Sequence, residues 1–232
     1  MTWGIIAAMD AELALIVDRM EIERRETIYG VQFNVGKIGG SDVVAACSSI
    51  GTINAAACAS VLAREFGVSA IINIGVAGNA SKELNILDVV LSDEVAFHDA
   101  DMQIILQFYP FRESFSADPK LIALAERSIS EMKNREFGYK IGRIATGDVF
   151  VNDLELKNSI IERLSPLCVE MEGAAIGQIA YMSGLPFLVI RSISDNSDGS
   201  AYLSFESFLE KAAKNSAGIV LKMIELSAEA EG

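Results

Sequence analysis

Val169-Glu170-Met171-Glu172 is the stretch of the sequence that decides the fold. It follows a short apolar segment and leads into a run rich in alanine and glycine, which is typical of a buried strand passing into a helix. Carboxylates at such a passage lie where open α/β sheets bind ligands, outside the carboxyl ends of their strands. The stretch therefore predicts an α/β protein with a ligand site at one edge of its sheet.

Three other apolar segments end in the same way. They cover residues 4–8, 70–74 and 187–191, and each leads into polar or glycine-rich residues. If all four strands run parallel in one sheet, their carboxyl ends meet at one rim. The charged side chains expected at that rim are those of Glu12, Glu172, Arg191 and Asp195.

Helices alternate with these strands, which predicts a three-layer α/β/α sandwich around a central sheet. Residues 52–66 form an alanine-rich helix, and Ser204 precedes the last long helix. Residues 31–35 and 43–47, joined by a glycine-rich turn, form a hairpin, so the sheet is expected to be mixed. Because no linker or repeat divides the chain, residues 1–232 are predicted to form a single domain.

Two segments are expected to lie outside the sheet. The charged residues 21–26 predict an exposed turn after the first helix. Residues 98–117 form a long irregular stretch that carries Phe108, Tyr109, Phe111 and Phe115. A loop of that length and aromatic content is typical of a lid or an interface.

Composition and charge exclude several classes of partner. The formal net charge is −13, whereas nucleic acids and anionic membranes require a basic face. Cys47, Cys58 and Cys168 lie in apolar contexts without metal-ligand spacing, which indicates reduced core residues of a cytoplasmic protein. Asp10 and Glu12 interrupt the first apolar run too early for a signal peptide, and no stretch is long enough to span a membrane.

Each charged residue at the predicted rim also has an ordinary structural explanation. The negative charges of Glu12 and Glu172 would be stabilised at the positive N-terminal ends of helix dipoles, and Asp195 could be a turn residue. Arg191, expected as the last residue of a buried strand, requires an acidic partner, which could be a structural ion pair. His98, the only histidine, has poor spacing for a metal site with its neighbouring aspartates, so no metal and no cofactor are predicted.

Taken together, two or three carboxylates, one arginine and aromatic faces suit the cleavage of a glycosidic bond. One carboxylic acid protonates the leaving group, and a carboxylate activates water as a general base. The acid must remain protonated near neutral pH, which burial beside other carboxylates promotes. The residues thus favour a metal-independent glycosyl hydrolase.

Several motifs, in order along nearly the whole chain, resemble those of the 5′-methylthioadenosine/S-adenosylhomocysteine nucleosidases of the nucleoside phosphorylase superfamily. They are Gly4-Ile5-Ile6-Ala7-Ala8-Met9 with Glu12, Ser92-Asp93-Glu94, His98-Asp99-Ala100-Asp101, Thr146-Gly147-Asp148-Val149-Phe150-Val151, Val169-Glu170-Met171-Glu172, Arg191-Ser192-Ile193-Ser194-Asp195 and Leu203-Ser204-Phe205. The resemblance implies the superfamily's fold and an irreversible hydrolysis that releases adenine from a 5′-substituted thioribose nucleoside.

The resemblance also implies roles for the reacting groups. Asp195 would protonate N7 of adenine, with Ser194 orienting it. Glu12 would activate the water that attacks the anomeric carbon, and Arg191 would help to hold that water. Glu172 would bind the 2′- and 3′-hydroxyls and favour positive charge on the ribose.

Further residues would bind the substrate. Met171 would pack under the sugar, Phe150 would stack on adenine, and the backbone of Val151 would read the edge of the base. The pocket for the 5′-substituent would be lined by Met9, Ile50 and Phe205. Because the family is dimeric, the resemblance implies a homodimer in which the loop after His98 contributes to the partner's active site, and it implies a role in methionine salvage.

The sequence departs from the family pattern at two places. Val76 stands where many members carry a serine that touches the water, which leaves Glu12 and Arg191 to hold the nucleophile. Residues 102–107 replace a different run at the 5′-pocket, so hydrolysis of aminofutalosine, a menaquinone precursor, stays open.

Two other functions are possible in principle. A phosphorylase on the same fold needs cationic or glycine-rich groups near the first strand, where this chain carries Met9-Asp10-Ala11-Glu12. A receiver-like signalling domain needs a lysine at the end of its last central strand and about half this length, so Arg191 and the long C-terminal half count against it.

Overall fold

The structure is a computed structural model that describes residues 1–133, 135–199 and 201–231. Its strands are β1 Trp3–Ala7, β2 Glu21–Ile28, β3 Val31–Ile38, β4 Ser41–Cys47, β5 Ala70–Asn79, β6 Val89–Phe97, β7 Ser114–Ser116, β8 Tyr139–Thr146, β9 Cys168–Glu170 and β10 Phe187–Asp195. Its helices are α1 Asp10–Arg19, α2 Thr52–Arg64, α3 Met102–Ile105, α4 Pro119–Glu131, α5 Leu154–Leu164, α6 Gly173–Ser183 and α7 Ala201–Glu231.

All the strands belong to one mixed sheet with β5 at its centre. β5 pairs in parallel with β1 and β10 and in antiparallel with β9. On one side, β1 continues through β4 and β3 to β2. On the other side, β10, β6, β8 and β9 pair in succession, and β9 returns to β5, so these five strands close a ring.

The antiparallel direction of β9 corrects the prediction that the four apolar strands run parallel. β9 is parallel to β8 and β6, and these two strands run opposite to β10. Val169 pairs with Gly78 near the carboxyl end of β5, so the chain beyond it turns back towards the middle of that strand. Glu170 and Glu172, which follow Val169, therefore reach the predicted rim from a strand that runs opposite to β1, β5 and β10.

Helices cover the sheet in two groups and exclude water from its central strands. α1 and α4 pack against α7, which lies on β5 and β10, whereas α2 packs against α6, which contacts β6 and β8. β10 is buried along its whole length. Each fully buried isoleucine or leucine there contributes about 1.5–3 kcal/mol relative to an exposed one. The predicted α/β/α sandwich with a mixed sheet is confirmed, and the main core, which extends from Trp3 to Ile224, supports the prediction of one domain.

The expectation of an exposed turn at residues 21–26 is wrong. These residues belong to β2, which pairs in antiparallel with β3 through a tight turn at Tyr29 and Gly30, both with positive φ. β2 is the outer strand of the sheet, and many of its charged side chains are exposed. Charged side chains are common on edge strands because they oppose pairing with another chain, and here they leave no alternation of buried and exposed residues to mark a strand.

The stretch from 98 to 117 is more regular than expected. Asp101 caps the short helix α3, accepting hydrogen bonds from the backbone nitrogens of Gln103 and Ile104, and β7 pairs with β6. Phe115 is buried in β7, whereas the other three aromatic side chains, Phe108, Tyr109 and Phe111, are exposed. In the described part of the chain no helix is long and apolar enough to cross a bilayer.

Candidate active site

A cavity of about 370 Å³ opens where β1, β5 and β10 end. All four predicted catalytic side chains line it, and so do seven of the predicted binding residues, namely Met9, Ile50, Val76, Phe150, Met171, Ser194 and Phe205. Val151 lines a smaller pocket of about 30 Å³, which shares Phe150, Met171 and Asp195 with the larger cavity. The structure therefore brings together every residue that the sequence proposed for the site.

Glu12 enters the cavity from the first turn of α1. Its Oε2 accepts hydrogen bonds from the backbone nitrogens of Ala8 (3.0 Å) and Met9 (2.9 Å), and its Oε1 accepts one from Val76 N (2.9 Å). The bond to Met9 N ties the carboxylate to the start of its own helix, so the capping explanation also holds. Burial raises the pKa of Glu12, although Arg191 and the three backbone donors oppose the rise.

Arg191 lies in the middle of β10, not at its end as predicted, because the strand continues to Asp195. Its side chain is 1% exposed. Nη2 donates to Asn73 Oδ1 (2.6 Å), to Glu172 Oε2 (3.1 Å) and to Glu170 Oε2. The predicted acidic partner of Arg191 is thus confirmed, and two carboxylates accept hydrogen bonds from it.

Carboxylates on several elements keep Arg191 charged. Burial alone would lower the pKa of Arg191, but Glu170, Glu172 and Glu12 outweigh this and hold it above its usual value. Nη1 lies 4.0 Å from Glu12 Oε1, and Nε has no hydrogen-bond partner. The guanidinium therefore joins three carboxylates at the floor of the cavity.

Glu170 is a member of this cluster to which the sequence assigned no role. Its carboxylate accepts hydrogen bonds from Thr146 Oγ1 and from the backbone nitrogens of Glu172 (3.0 Å) and Gly173 (2.8 Å), as well as from Arg191. The sequence did contain a hint of this role. A buried arginine needs compensating negative charge, and Glu170 and Glu172, two positions apart, can both supply it. With so many donors, Glu170 is committed to fixing Arg191 and the start of α6.

Glu172 is less fully engaged than Glu170. Its Oε1 accepts a hydrogen bond from Gly51 N (2.9 Å), and its Oε2 faces Arg191. Burial raises the pKa of Glu172 to about 7; Arg191 opposes the shift and Glu170 adds to it. A pKa near 7 means that Glu172 gains or loses its charge close to neutral pH.

Asp195 is the last residue of β10 and is 2% exposed. Its Oδ1 accepts a hydrogen bond from Ser197 N (2.8 Å), and its Oδ2 lies 2.8 Å from Ser194 Oγ. Ser194 Oγ also lies 3.3 Å from the carbonyl oxygen of Ala77, so its proton has two acceptors. Burial raises the pKa of Asp195, which favours the protonated form that a proton donor needs.

An aromatic wall closes one side of the cavity. The ring of Phe150 lies 4.7 Å from that of Tyr202 and 6.3 Å from that of Phe205, centroid to centroid. Tyr202 lines the cavity but was not predicted. The sequence placed the start of the last helix after Ser204, whereas α7 already includes Ala201, and this earlier start brings Tyr202 against Phe150.

Gly75 leaves the space in which Arg191 and Glu12 meet. A Cβ at this position would overlap Arg191 Nη1 and lie 2.5 Å from Glu12 Oε1. The glycine-rich stretch after residues 70–74 thus permits close approach by protein side chains. Because misplacement of a reacting group by about 1 Å costs roughly 100-fold in rate, Gly75→Ala should lower kcat/KM by roughly that factor.

The control for Gly75→Ala is Gly218→Ala in α7, where a Cβ would have ordinary contact with Met132 at 3.6 Å. Steady-state kinetics with thermal unfolding on both variants would separate a local effect from a loss of folding. Wild-type kinetics for Gly75→Ala would show that the spacing between Arg191 and Glu12 is unimportant.

His98 lies outside this cavity. It is buried, its Nε2 has no hydrogen-bond partner, and burial lowers its pKa. Among the residues that the structure describes, no group of three or more histidine, cysteine or acidic side chains is arranged to hold a metal ion.

Comparison with known proteins agrees with this geometry. Residues 2–225 match the family model described as the phosphorylase superfamily. The 5′-methylthioadenosine/S-adenosylhomocysteine nucleosidase of Marinomonas sp. is 38% identical over 228 residues, which cover 96% of this chain and 97% of the relative. The chain belongs to this nucleosidase family, within the phosphorylase superfamily.

Solved structures extend the match of this nucleosidase-family chain to its fold. The nucleosidase of Streptococcus pneumoniae, solved with the transition-state inhibitor MT-ImmA, superposes with a TM-score of 0.90 at 35% identity and covers 97% of this chain and 99% of its own. The futalosine hydrolase of Helicobacter pylori superposes with a TM-score of 0.89 at 31% identity, covering 97% of both chains. The family predicted from the sequence is confirmed.

Proposed function

We propose that the chain hydrolyses the N-glycosidic bond of 5′-methylthioadenosine, S-adenosylhomocysteine and related 5′-substituted adenosines, releasing adenine and the thioribose. The observation that carries this proposal is the placement of two buried carboxyl groups, Glu12 and Asp195, on one cavity with raised pKa values. The same cavity is lined by Arg191 with two further carboxylates, Glu170 and Glu172. An acid, a base and negative charge are what cleavage through an oxocarbenium-like centre requires.

Asp195 would act as the general acid. When protonated, it donates a proton to N7 of adenine, which converts the base into a neutral leaving group. Ser194 Oγ and Ser197 N hold its two oxygens, so the carboxyl group keeps a fixed orientation. In this arrangement the base lies near the shared pocket of Phe150 and Val151, with its ring against Phe150 and its edge at the Val151 backbone.

Glu12 would act as the general base. A water molecule between Glu12 Oε1 and Arg191 Nη1 would accept a hydrogen bond from the arginine and give its proton to the carboxylate as it attacks the anomeric carbon. The 4.0 Å between these two atoms supports this placement. Val76 contributes its backbone N–H, which fixes Glu12 Oε1, so the aliphatic side chain does not prevent the role.

Glu172 would bind the 2′- and 3′-hydroxyls and stabilise positive charge on the ribose, with Met171 under the sugar. Its ionised form is needed for the second task. Met9, Ile50 and Phe205 would line the pocket for the 5′-substituent, at the mouth of the same cavity.

Phosphate in place of water fits this site poorly. An anion beside the end of β1 would lie against the carboxyl group of Glu12, which must be ionised to act as a base. The nearby cation, Arg191, is already shared by three carboxylates and so has little charge left to bind phosphate. Phosphate sites need unshared arginine or backbone donors. The charges therefore favour a hydrolase over a phosphorylase.

Aminofutalosine is a second candidate substrate. The structural match with the futalosine hydrolase of Helicobacter pylori supports it. The half-exposed Ile50 and the exposed Tyr202, which line the mouth of the cavity, leave its 5′ side open to a larger substituent.

The test is to incubate the protein without phosphate and with methylthioadenosine, adenosylhomocysteine, 5′-deoxyadenosine or aminofutalosine, and to follow adenine or the corresponding free base. Release of base from one or more of them, unchanged on adding phosphate, is the expected result. A strict requirement for phosphate would show that the protein is a phosphorylase and not a hydrolase. No release of base from any of the four nucleosides would contradict the proposal.

The pH dependence follows from the directions of the three pKa shifts. Glu12 and Glu172 must be ionised, so kcat/KM should fall as the pH decreases through their raised pKa values, with half of the activity lost near pH 7 if Glu172 sets the limb. Asp195 must be protonated, so kcat/KM should fall again as the pH rises through its raised value. A bell-shaped profile is expected, and an acidic limb at the ordinary glutamate value of 4.5 would contradict it.

We also propose that the chain is a cytoplasmic homodimer that acts in methionine salvage. The exposed aromatic side chains of the segment after His98, Phe108, Tyr109 and Phe111, support a contact with a second copy. Sedimentation of the purified protein would test the dimer.

A further inference from the structure

Helix α2 lacks a cap of its own, and a distant carboxylate supplies one. The residue before the helix is Gly51, which has no side chain, and its φ of 105° suits glycine. Asp148 lies 96 residues further along the chain, and its Oδ1 accepts a hydrogen bond from Thr52 N (2.7 Å). Its Oδ2 accepts one from Thr52 Oγ1 (2.5 Å). A carboxylate in this place accepts a hydrogen bond from an otherwise unpaired helix N–H, and its negative charge interacts favourably with the positive end of the helix dipole.

The same turn of backbone holds the proposed ribose-binding carboxylate. Gly51 N, one residue before the clamped Thr52, donates to Glu172 Oε1 (2.9 Å). Asp148 is fixed in turn, because its own backbone nitrogen donates to Asp99 Oδ2 (2.7 Å). Hydrogen bonds therefore join Asp99 to Asp148 and Asp148 to Thr52. The peptide chain then connects Thr52 to Gly51, whose amide donates to Glu172.

Asp148 also lies two residues before Phe150, in the segment where the base is proposed to bind. The backbone between Gly147 and Val151 thus carries the base contacts and, through Asp148, the anchor for the ribose carboxylate. No other contact of Asp148 with the cavity is needed for this effect, and its side chain is not among those that line the cavity.

We propose that Asp148 is a positioning residue for the reaction: by clamping Thr52 it aims the Gly51 N–H at Glu172 and fixes that carboxylate for the ribose hydroxyls. This inference rests on the proposed function for its kinetic consequence. The structural part, that the clamp by Asp148 controls the contact between Gly51 and Glu172, stands without it.

The kinetic experiment compares Asp148→Ala with Asp118→Ala. Asp118 also caps a helix, accepting hydrogen bonds from the backbone nitrogens of Lys120 and Leu121 at the start of α4, and it is a matched control for a purely structural cap. Asp148→Ala should lower kcat/KM for methylthioadenosine by about tenfold, the size of one lost hydrogen bond to a charged group, and Asp118→Ala should not.

Three further comparisons separate positioning from general damage. The loss in Asp148→Ala should be much smaller for 2′-deoxy-5′-methylthioadenosine, and it should vanish when Glu172 is already replaced by glutamine. Thr52→Ser, which keeps both donors of the clamp, should retain wild-type kinetics, whereas Thr52→Val should lose part of the rate. Equal losses on both nucleosides, or losses that add to that of Glu172→Gln, would overturn the proposal.

A measurement without substrate keeps the inference distinct from the proposed function. Glu172 is faced by Arg191, Glu170, Glu12 and the Gly51 amide, and burial raises its pKa to about 7. The amide resonance of Gly51 should follow that titration in the wild type and in Asp118→Ala, but not in Asp148→Ala. If the wild type released no adenine yet this difference appeared, the proposed function alone would fail; an unchanged titration in Asp148→Ala would overturn the inference alone.

Discussion

Replacing Asp195 by asparagine should lower kcat by roughly 10²- to 10⁴-fold, the contribution of a well-placed general acid. Asparagine has nearly the same shape, and its carbonyl oxygen can still accept the hydrogen bond from Ser197 N that Asp195 Oδ1 accepts now. Its amide NH₂ can donate a hydrogen bond but is far too weak an acid to transfer a proton to N7 of the leaving base. The measurement is adenine release under single-turnover conditions, with the circular dichroism of the variant as a check on folding.

The control for this variant is Ser194→Ala, which removes the hydroxyl 2.8 Å from Asp195 Oδ2 but leaves the carboxyl group in place. We expect a smaller loss of activity, because the proton donor is intact and only its orientation is relaxed. Near-wild-type turnover of Asp195→Asn would show that Asp195 is not the acid and that its raised pKa has another origin.

Replacing Glu12 by glutamine should also lower kcat by roughly 10²- to 10⁴-fold, because the amide cannot accept a proton from water. The variant should still bind the nucleoside, since the groups proposed to hold the base and the ribose hydroxyls are unchanged. Calorimetric titration with methylthioadenosine, together with the turnover assay, would separate binding from chemistry.

Glu12→Gln also probes the structural role of this residue. The carboxylate accepts three backbone hydrogen bonds, and a glutamine must turn its NH₂ group towards at least one of those donors. An unpaired buried donor costs about 1–3 kcal/mol, so the unfolding temperature should fall while the protein stays folded. A variant that does not fold would favour the capping role over the catalytic one, and an active variant would remove Glu12 as the base.

Much of the site could be predicted because its residues follow strands of simple pattern. β1, β5 and β10 are apolar runs, and they lie parallel and side by side, so Glu12 and Asp195 meet at one rim as expected. The position of Arg191 in the middle of β10 was missed, because a charged residue inside a buried strand looks like its end. Only the carboxylates of Glu12, Glu170 and Glu172, which reach Arg191 from other parts of the chain, make that position tolerable.

The rest depended on contacts between distant segments. β9 has only three residues, which is too short for its direction to be visible in the sequence, and its pairing with both β8 and β5 is what closes the ring. Tyr202 and the clamp between Asp148 and Thr52 escaped notice for the same reason, since each is defined by a partner far away along the chain. The charged edge strand β2 was missed because one-sided burial, the basis of the alternating pattern, is absent there.

The most direct test of the account is a crystal structure with an unreactive analogue of methylthioadenosine. We expect N7 of the base within hydrogen-bond distance of Asp195, the two ribose hydroxyls on Glu172, and an ordered water between Glu12 and Arg191 on the opposite face of the sugar. An analogue bound elsewhere, or one with its anomeric carbon turned away from Glu12, would contradict the account.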